Sequence, residues 1–138
     1  MPVSAIYSRS FTIPQDVIDE NGHVIHVAYV QWMQDIAVEH YSAIGGILAQ
    51  GSESTWVVRE HRVEYLLPAF VGEEIEIKTW VENIRRVRSL RKYEFVRKSD
   101  GRVLVQGETD WVFVDAKTGR PLLIPDEVSD VFGLSPER

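Results

Sequence analysis

The segment DENGHVIHVAYVQWMQDIAVEHY, residues 19 to 41, gathers Asp19, Glu20, His23 and His26 around Gly22 and runs straight into a helical pattern. Carboxylates and imidazoles are the usual side chains for moving protons in a reaction. A helix N-terminus adds about half a positive charge from its aligned peptide dipoles. Two readings of Asp19 fit. It is a loop acid that supports the helix start, or it is a catalytic carboxylate that attacks an electrophile or activates a water while first-turn N–H groups hold the developing oxyanion. Gly22 would let the backbone approach a bound group without a side chain in the way. Asp19, His23 and His26 are also metal-ligand types, but no spacing signature accompanies them. The reading therefore calls for no metal and no cofactor.

A second concentration of chemistry is RRVRSLRK, residues 85 to 92, which holds five of the fifteen Lys and Arg residues. Arg85, Arg86, Arg88, Arg91 and Lys92 read either as a solvated face or as guanidinium and ammonium groups gathered for phosphates. His40 continues the apolar side of the helix and reads as a core histidine. His61 falls in a strand and receives no role. Trp56, Tyr65 and Trp80 could line a pocket, but core packing is the default reading for aromatics in a small domain.

The elements that must position these residues follow from periodicity. Ser4 to Ile13 predicts a strand ended by Pro14, which has no N–H for a ladder. From Val27 to Ile44 the spacing is helical, with Val30, Met33, Ala37, Tyr41 and Ile44 on one face and Tyr29, Trp32 and Ile36 widening it. Gly45-Gly46 stops that helix. Four strands are predicted after it: Thr55 to Leu66, the alternating EEIEIKTWVE, Ser89 to Lys98, and Val103 to Asp115. Ser99-Asp100-Gly101 is a tight hairpin turn. Gly107, in mid-strand, predicts a bulge or a close approach. A short helix is expected from about Pro125. Short connections imply antiparallel neighbours, so the chain reads as an α+β domain, one antiparallel sheet curled around one long helix.

Composition narrows the rest. A chain of 138 residues, 44% hydrophobic and 26% charged, suits a single domain over residues 1 to 138. It has no cysteine, so disulfides and thiolate chemistry are excluded. The net charge of −6 argues against general affinity for nucleic acid. The first residues hold no long apolar stretch and no run is long enough to span a bilayer. The expectation is a cytoplasmic protein with no membrane partner.

Three motifs in order resemble the hotdog-fold thioesterases, in particular the 4-hydroxybenzoyl-CoA thioesterase family with its YbgC-like members. DENGHVIHVAYVQW is similar to the family's Asp-x-x-Gly-x-Val-x-(His/Asn/Tyr)-x-x-Tyr segment. VEYLLPAFVGEEIEI (63 to 77) resembles its Tyr-x-x-Pro-Ala-x-x-Gly-Asp stretch, and VFVDAKTGRPLLIP (112 to 125) supports both. The likeness covers about Tyr7 to Pro125. It implies a metal-independent acyl-CoA thioesterase of the hotdog fold. Asp19 would be nucleophile or general base, and the His26 backbone N–H, with its ring, would polarise the thioester carbonyl. Gly22 would line the substrate. Arg86, Arg88 and Ser89 match the residues that hold coenzyme A phosphates, though the same patch also fits an acyl carrier protein. The resemblance further implies a homodimer or homotetramer. Many relatives carry a second acid two residues before the catalytic one, where this chain has Val17, with Asp16 one residue further back. The competing readings are a hotdog hydratase or dehydratase, whose Asn-Pro signature is missing here, and a non-catalytic acyl-thioester binding protein.

Overall fold

The computed structural model describes residues 3–137. Five strands form one antiparallel sheet: β1 (Tyr7–Thr12), β2 (Ser54–Tyr65), β3 (Glu74–Ile84), β4 (Arg88–Arg97) and β5 (Val103–Asp115). Their spatial order is β1-β3-β4-β5-β2, which leaves β1 and β2 as the two edges. Three helices accompany them: α1 (His26–Ala43), the one-turn α2 (Gly46–Gln50) and α3 (Asp126–Val131). The second of these is absent from the sequence expectation. The chain does stop α1 where Gly45 takes φ +84°, but it then winds one further turn. Among the described residues no helix is long and apolar enough to cross a membrane.

Strand alternation decides which side chains meet the helix. In β3, Ile75, Ile77, Thr79 and Val81 are buried, as their spacing predicts. In β4 the same period puts Ser89, Arg91, Tyr93 and Phe95 inside. The helix lies across this face and joins two apolar clusters. Near its N-terminus, Ala28, Tyr29 and Met33 pack with Ile75, Ile77, Phe95 and Val105. Near its C-terminus, Tyr41 and Ile44 pack against a cluster of Val81, Ile84, Phe113, Val128 and Phe132, to which α3 contributes.

At Gly107 a helix side chain lies directly against the sheet. A Cβ built there would stand 2.9 Å from Met33 Sδ and 3.5 Å from the Arg62 carbonyl oxygen. The glycine thus admits the methionine, and the ladder runs through it without a bulge, opposite Val63 and Tyr93. The irregularities in register fall elsewhere, between Val58 and Glu60, Val81 and Asn83, and Phe95 and Val96.

His40 is a core histidine, 3% exposed, and its partner is Arg91, 4% exposed. Arg91 Nη1 donates to His40 Nδ1 at 2.8 Å and to Thr79 Oγ1 at 3.1 Å. A guanidinium has no lone pair to accept with, so Nδ1 must carry the lone pair and the ring is neutral. Tyr7 stacks on the imidazole at 5.0 Å, and Phe132 meets it edge-on at 6.0 Å. Burial, and then the Arg91 charge, lowers the His40 pKa to about 4. Arg91 therefore does not belong to the exposed basic patch in which the sequence grouped it.

Two outcomes follow from this packing. Gly107→Val should cost about 1–3 kcal/mol by overfilling a packed site, and Met33→Ala about 2–5 kcal/mol by emptying it. In denaturant melts the Gly107→Val/Met33→Ala double variant should be more stable than the sum by at least ~0.5 kcal/mol; strict additivity would show that the two do not meet. Because folding lowers the His40 pKa, the folded state binds fewer protons than the unfolded chain. This stability is fully present above about pH 6.5, the ordinary histidine value, and is lost as pH falls toward 4. His40→Asn keeps an acceptor without a titration in this range. Its unfolding midpoint should therefore fall less than wild type between pH 7 and pH 5. Equal falls would assign the acid sensitivity to another group.

Candidate functional site

The residues before α1 form a hydrogen-bonded turn. The Asp19 N–H donates to the His23 carbonyl at 2.8 Å, and the Gly22 N–H donates to the Asp19 carbonyl at 3.1 Å. Gly22 sits at φ +79°, in the left-handed region that strains a side-chain-bearing residue. Nothing of this chain lies within 4 Å of where its Cβ would stand. Within the protomer the glycine is therefore required by the turn and not by close packing.

Asp19 closes the same turn with its side chain. Oδ1 accepts from the N–H groups of Asn21 at 2.9 Å and His23 at 3.0 Å. This is an Asx-type arrangement, and it fixes the carboxylate's orientation. Oδ2 has no hydrogen-bond partner among the described residues. The carboxylate does not cap α1. The cap position is Ile25, in extended conformation, with no side-chain cap and no acidic residue in the first turn. The positive end of the helix is thus left without a side-chain acceptor.

Tertiary contacts carry this turn to the second motif. The Val24 N–H donates to the Ala69 carbonyl at 3.1 Å, and His23 pairs with Phe70 as an isolated bridge. The His23 ring meets Phe70 edge-on at 5.1 Å. His26 stacks on Tyr65 with centroids 4.3 Å apart, and the Tyr65 hydroxyl donates to the His26 carbonyl at 3.4 Å. His23, His26, Tyr29, Tyr65 and Ala69 line a cleft of about 280 Å³. Asp19 stands on the neighbouring turn, outside that wall, and no hydrogen bond joins it to His26. Asp19, His23 and His26 do not converge as a three-ligand cluster.

Tyr29 and Tyr65 line this cleft, although neither was among the site residues expected from the sequence. Tyr65, read there as a core aromatic, is 43% exposed. Burial, chiefly, pushes the Tyr29 phenol up to about 12, so it stays a neutral donor. A signal for Tyr29 was present: it is the tyrosine that closes the Asp19-to-Tyr29 motif. Tyr65 had no comparable signal, because its partner His26 lies 39 residues away.

The basic run is divided by strand geometry. Arg85 pairs with Glu137 at 3.3 Å, and Arg88 reaches Asp110 at 3.4 Å, where Arg59 also binds. Arg86 is exposed, and its carbonyl accepts from the Ile124 N–H. Arg85, Arg86 and Arg88 border a cleft of about 790 Å³ between the β3–β4 turn and residues 133 to 137. Ser89 is 5% exposed, and its Oγ donates to the Asn83 carbonyl at 3.1 Å, so within this chain it ties the turn together. This cleft is far from the His26 cleft. Tyr65 stands opposite Val105 and Arg88 opposite Val112, seven residue steps along β5. At about 3.3 Å per residue that is on the order of 20 Å.

Oleoyl-acyl carrier protein thioesterase 1 of Arabidopsis thaliana, a chloroplastic protein, is 22% identical over 136 residues, covering 91% of this chain and 37% of its own. The acyl-CoA thioesterase YbgC of Helicobacter pylori is 26% identical over 69 residues, 50% of this chain and 51% of its own. The chain thus spans about half the length, or less, of these curated relatives. The crystal structure of a putative oleoyl thioesterase from Lactobacillus plantarum superposes with a TM-score of 0.89 at 17% identity, covering 98% of this chain and 53% of that one. The five-stranded antiparallel sheet and long helix are therefore a hotdog fold. Residues 13–132 match the family profile of the thioesterase-like superfamily, and this chain belongs to that superfamily.

Proposed function

We propose that the chain hydrolyses an acyl-CoA thioester to a free acid and coenzyme A, without a metal, at the N-terminus of α1. The observation that carries this reading is the uncapped first turn of α1, preceded directly by a turn that fixes the Asp19 carboxylate. The substrate carbonyl oxygen takes hydrogen bonds from the first-turn N–H groups, led by His26, where the helix dipole favours the negative charge that builds on it. Asp19, through Oδ2, either activates a water or attacks the carbonyl carbon itself. With water, the new C–O bond forms as the C–S bond breaks, and the proton taken from water passes to the departing thiolate. With direct attack, the C–S bond breaks and the coenzyme A thiolate leaves as a mixed anhydride forms on Asp19; water then cleaves the anhydride, freeing the acid and the Asp19 carboxylate and supplying the proton that the thiolate takes. The His26 ring, stacked on Tyr65, and Gly22 border the bound acyl thioester.

Arg86 and Arg88 hold the phosphates of coenzyme A, with Ser89 bracing their turn. Their distance from the His26 cleft within one protomer supports a homodimer or homotetramer in which one chain supplies the helix terminus and the other the basic turn. The unpaired edges β1 and β2 suit such pairing. Since one relative acts on oleoyl-acyl carrier protein, an acyl carrier protein is the alternative thiol carrier.

Asp19→Asn is nearly isosteric and keeps an acceptor for the turn, so its melting temperature should stay close to wild type. Its kcat for thiol release should fall by at least ~10²-fold, the lower end of base catalysis, with little change in KM. Near-full activity would return Asp19 to a purely structural acid. The Arg86→Ala/Arg88→Ala variant should raise KM for acyl-CoA and flatten its salt dependence while kcat holds; an unchanged KM makes the two arginines a solvated face. Light scattering should give a mass at least twice the 15.8 kDa of one chain, and a monomeric mass removes the shared site.

A further inference from the structure

Arg91 is a buried charge that the proposed hydrolysis does not use. Its Nη1 is engaged by His40 and Thr79, which are both neutral acceptors. Among the described residues no carboxylate pairs with it. A buried cation without a counter-ion is costly, and its other N–H groups still call for acceptors. Burial holds its pKa down to about 10, far above neutral pH, so the charge persists.

Arg91 forms part of the wall of a cavity of about 280 Å³ between α1, α2, β2 and Phe132. Ala37, Val38, Ile47, Trp56 and Phe132 give it an apolar lining, and no Asp, Glu or Lys lines it. Val38 and Ile47, 54% and 52% exposed, mark its mouth. Trp56 and Trp111 belong to the same wall, and their buried indole N–H groups make no well-formed hydrogen bond, standing only near the Tyr41 and Tyr93 hydroxyls. The chamber offers a cation and spare donors, apolar sides and no anion. Its volume falls just below the roughly 300–1,000 Å³ of drug-sized pockets, so it suits a small occupant.

We propose that this cavity binds a small amphiphilic carboxylate, with its apolar body against Trp56 and Phe132 and its carboxylate on the Arg91 guanidinium. Carboxylate and guanidinium match in charge and in paired hydrogen-bond geometry. The chemistry is that of a free carboxylic acid, the class of molecule that thioester hydrolysis releases, and the site does not depend on the thioesterase reading.

Calorimetric titration of the full chain with benzoate and hexanoate, each against its primary amide, tests the free acid. The carboxylate should bind at least ~10-fold more tightly than the amide. Arg91→Met should abolish that preference. Val38→Trp, which fills the mouth and leaves Arg91 in place, should abolish binding. If Arg91→Met fails to fold, the carboxylate–amide difference and Val38→Trp decide alone. The proposal is overturned if the carboxylate binds no more tightly than its amide, or if the preference survives Val38→Trp or a folded Arg91→Met; Arg91 is then a structural tie between His40 and Thr79.

Discussion

The packing of Met33 into the space left at Gly107 seats the middle of α1 on the sheet, and the apolar clusters at its two ends hold the rest. An α-helix is a stiff rod, so a contact near its middle and one at either end together fix where it lies. Met33 is seven residues from His26, about 10 Å at 1.5 Å per residue. Seated on Gly107, α1 brings its first turn against Tyr65 at the end of β2 and its last turns against Phe132. A side chain at residue 107 would compete with Met33 Sδ and Cε for the same space. Sheet interiors rarely retain a glycine without such a reason.

Between the two apolar clusters runs a band of buried polar groups. Thr79, Arg91 and Thr109 project from three adjacent strands to the helix side, with His40 above them and His61 joined to Thr109 at 2.8 Å. Arg91 and Thr109 are directly opposite in register. Such a band is no evidence of high stability, because desolvating a guanidinium can cost more than its contacts return. Its effect is on specificity: a one-residue slip of β4 would turn Arg91 out to solvent and Lys92 in. The neutral form of His40 is a consequence of this band, because Arg91 can only donate to it.

At the other end, the structural and the catalytic readings of Asp19 are compatible. One carboxylate oxygen closes the turn and the other is unengaged. A group held by two backbone N–H donors loses little freedom when a reaction begins, which is what a positioned base or nucleophile requires. The turn also keeps Asp19 from capping α1, so the dipole of the helix is not neutralised by its own chain. The separation of this terminus from Arg86 and Arg88 follows from strand register, since Tyr65 and Arg88 stand beside opposite ends of β5.

The local elements were legible in the sequence because neighbours encode them. The 3.6-residue spacing through Met33 and Ala37, the alternation of Ile75, Ile77, Thr79 and Val81, the stop at Gly45 and the hairpin at residues 99–101 all depend on a few consecutive residues. Asp19, Gly22 and His26 were legible as a group for the same reason: one turn and one helix start contain them. Arg91 shows the limit. Its place in the alternation of β4 pointed inward, but its charge pointed outward, and the neighbours needed to satisfy a buried guanidinium come from β3 and from α1, 12 and 51 residues away. Tyr65 beside His26, the cavity at Arg91 and the distance from the His26 cleft to the basic turn were likewise decided only by tertiary structure. Each depends on the strand order β1-β3-β4-β5-β2, which sets residues far apart in the chain side by side and which no local spacing records.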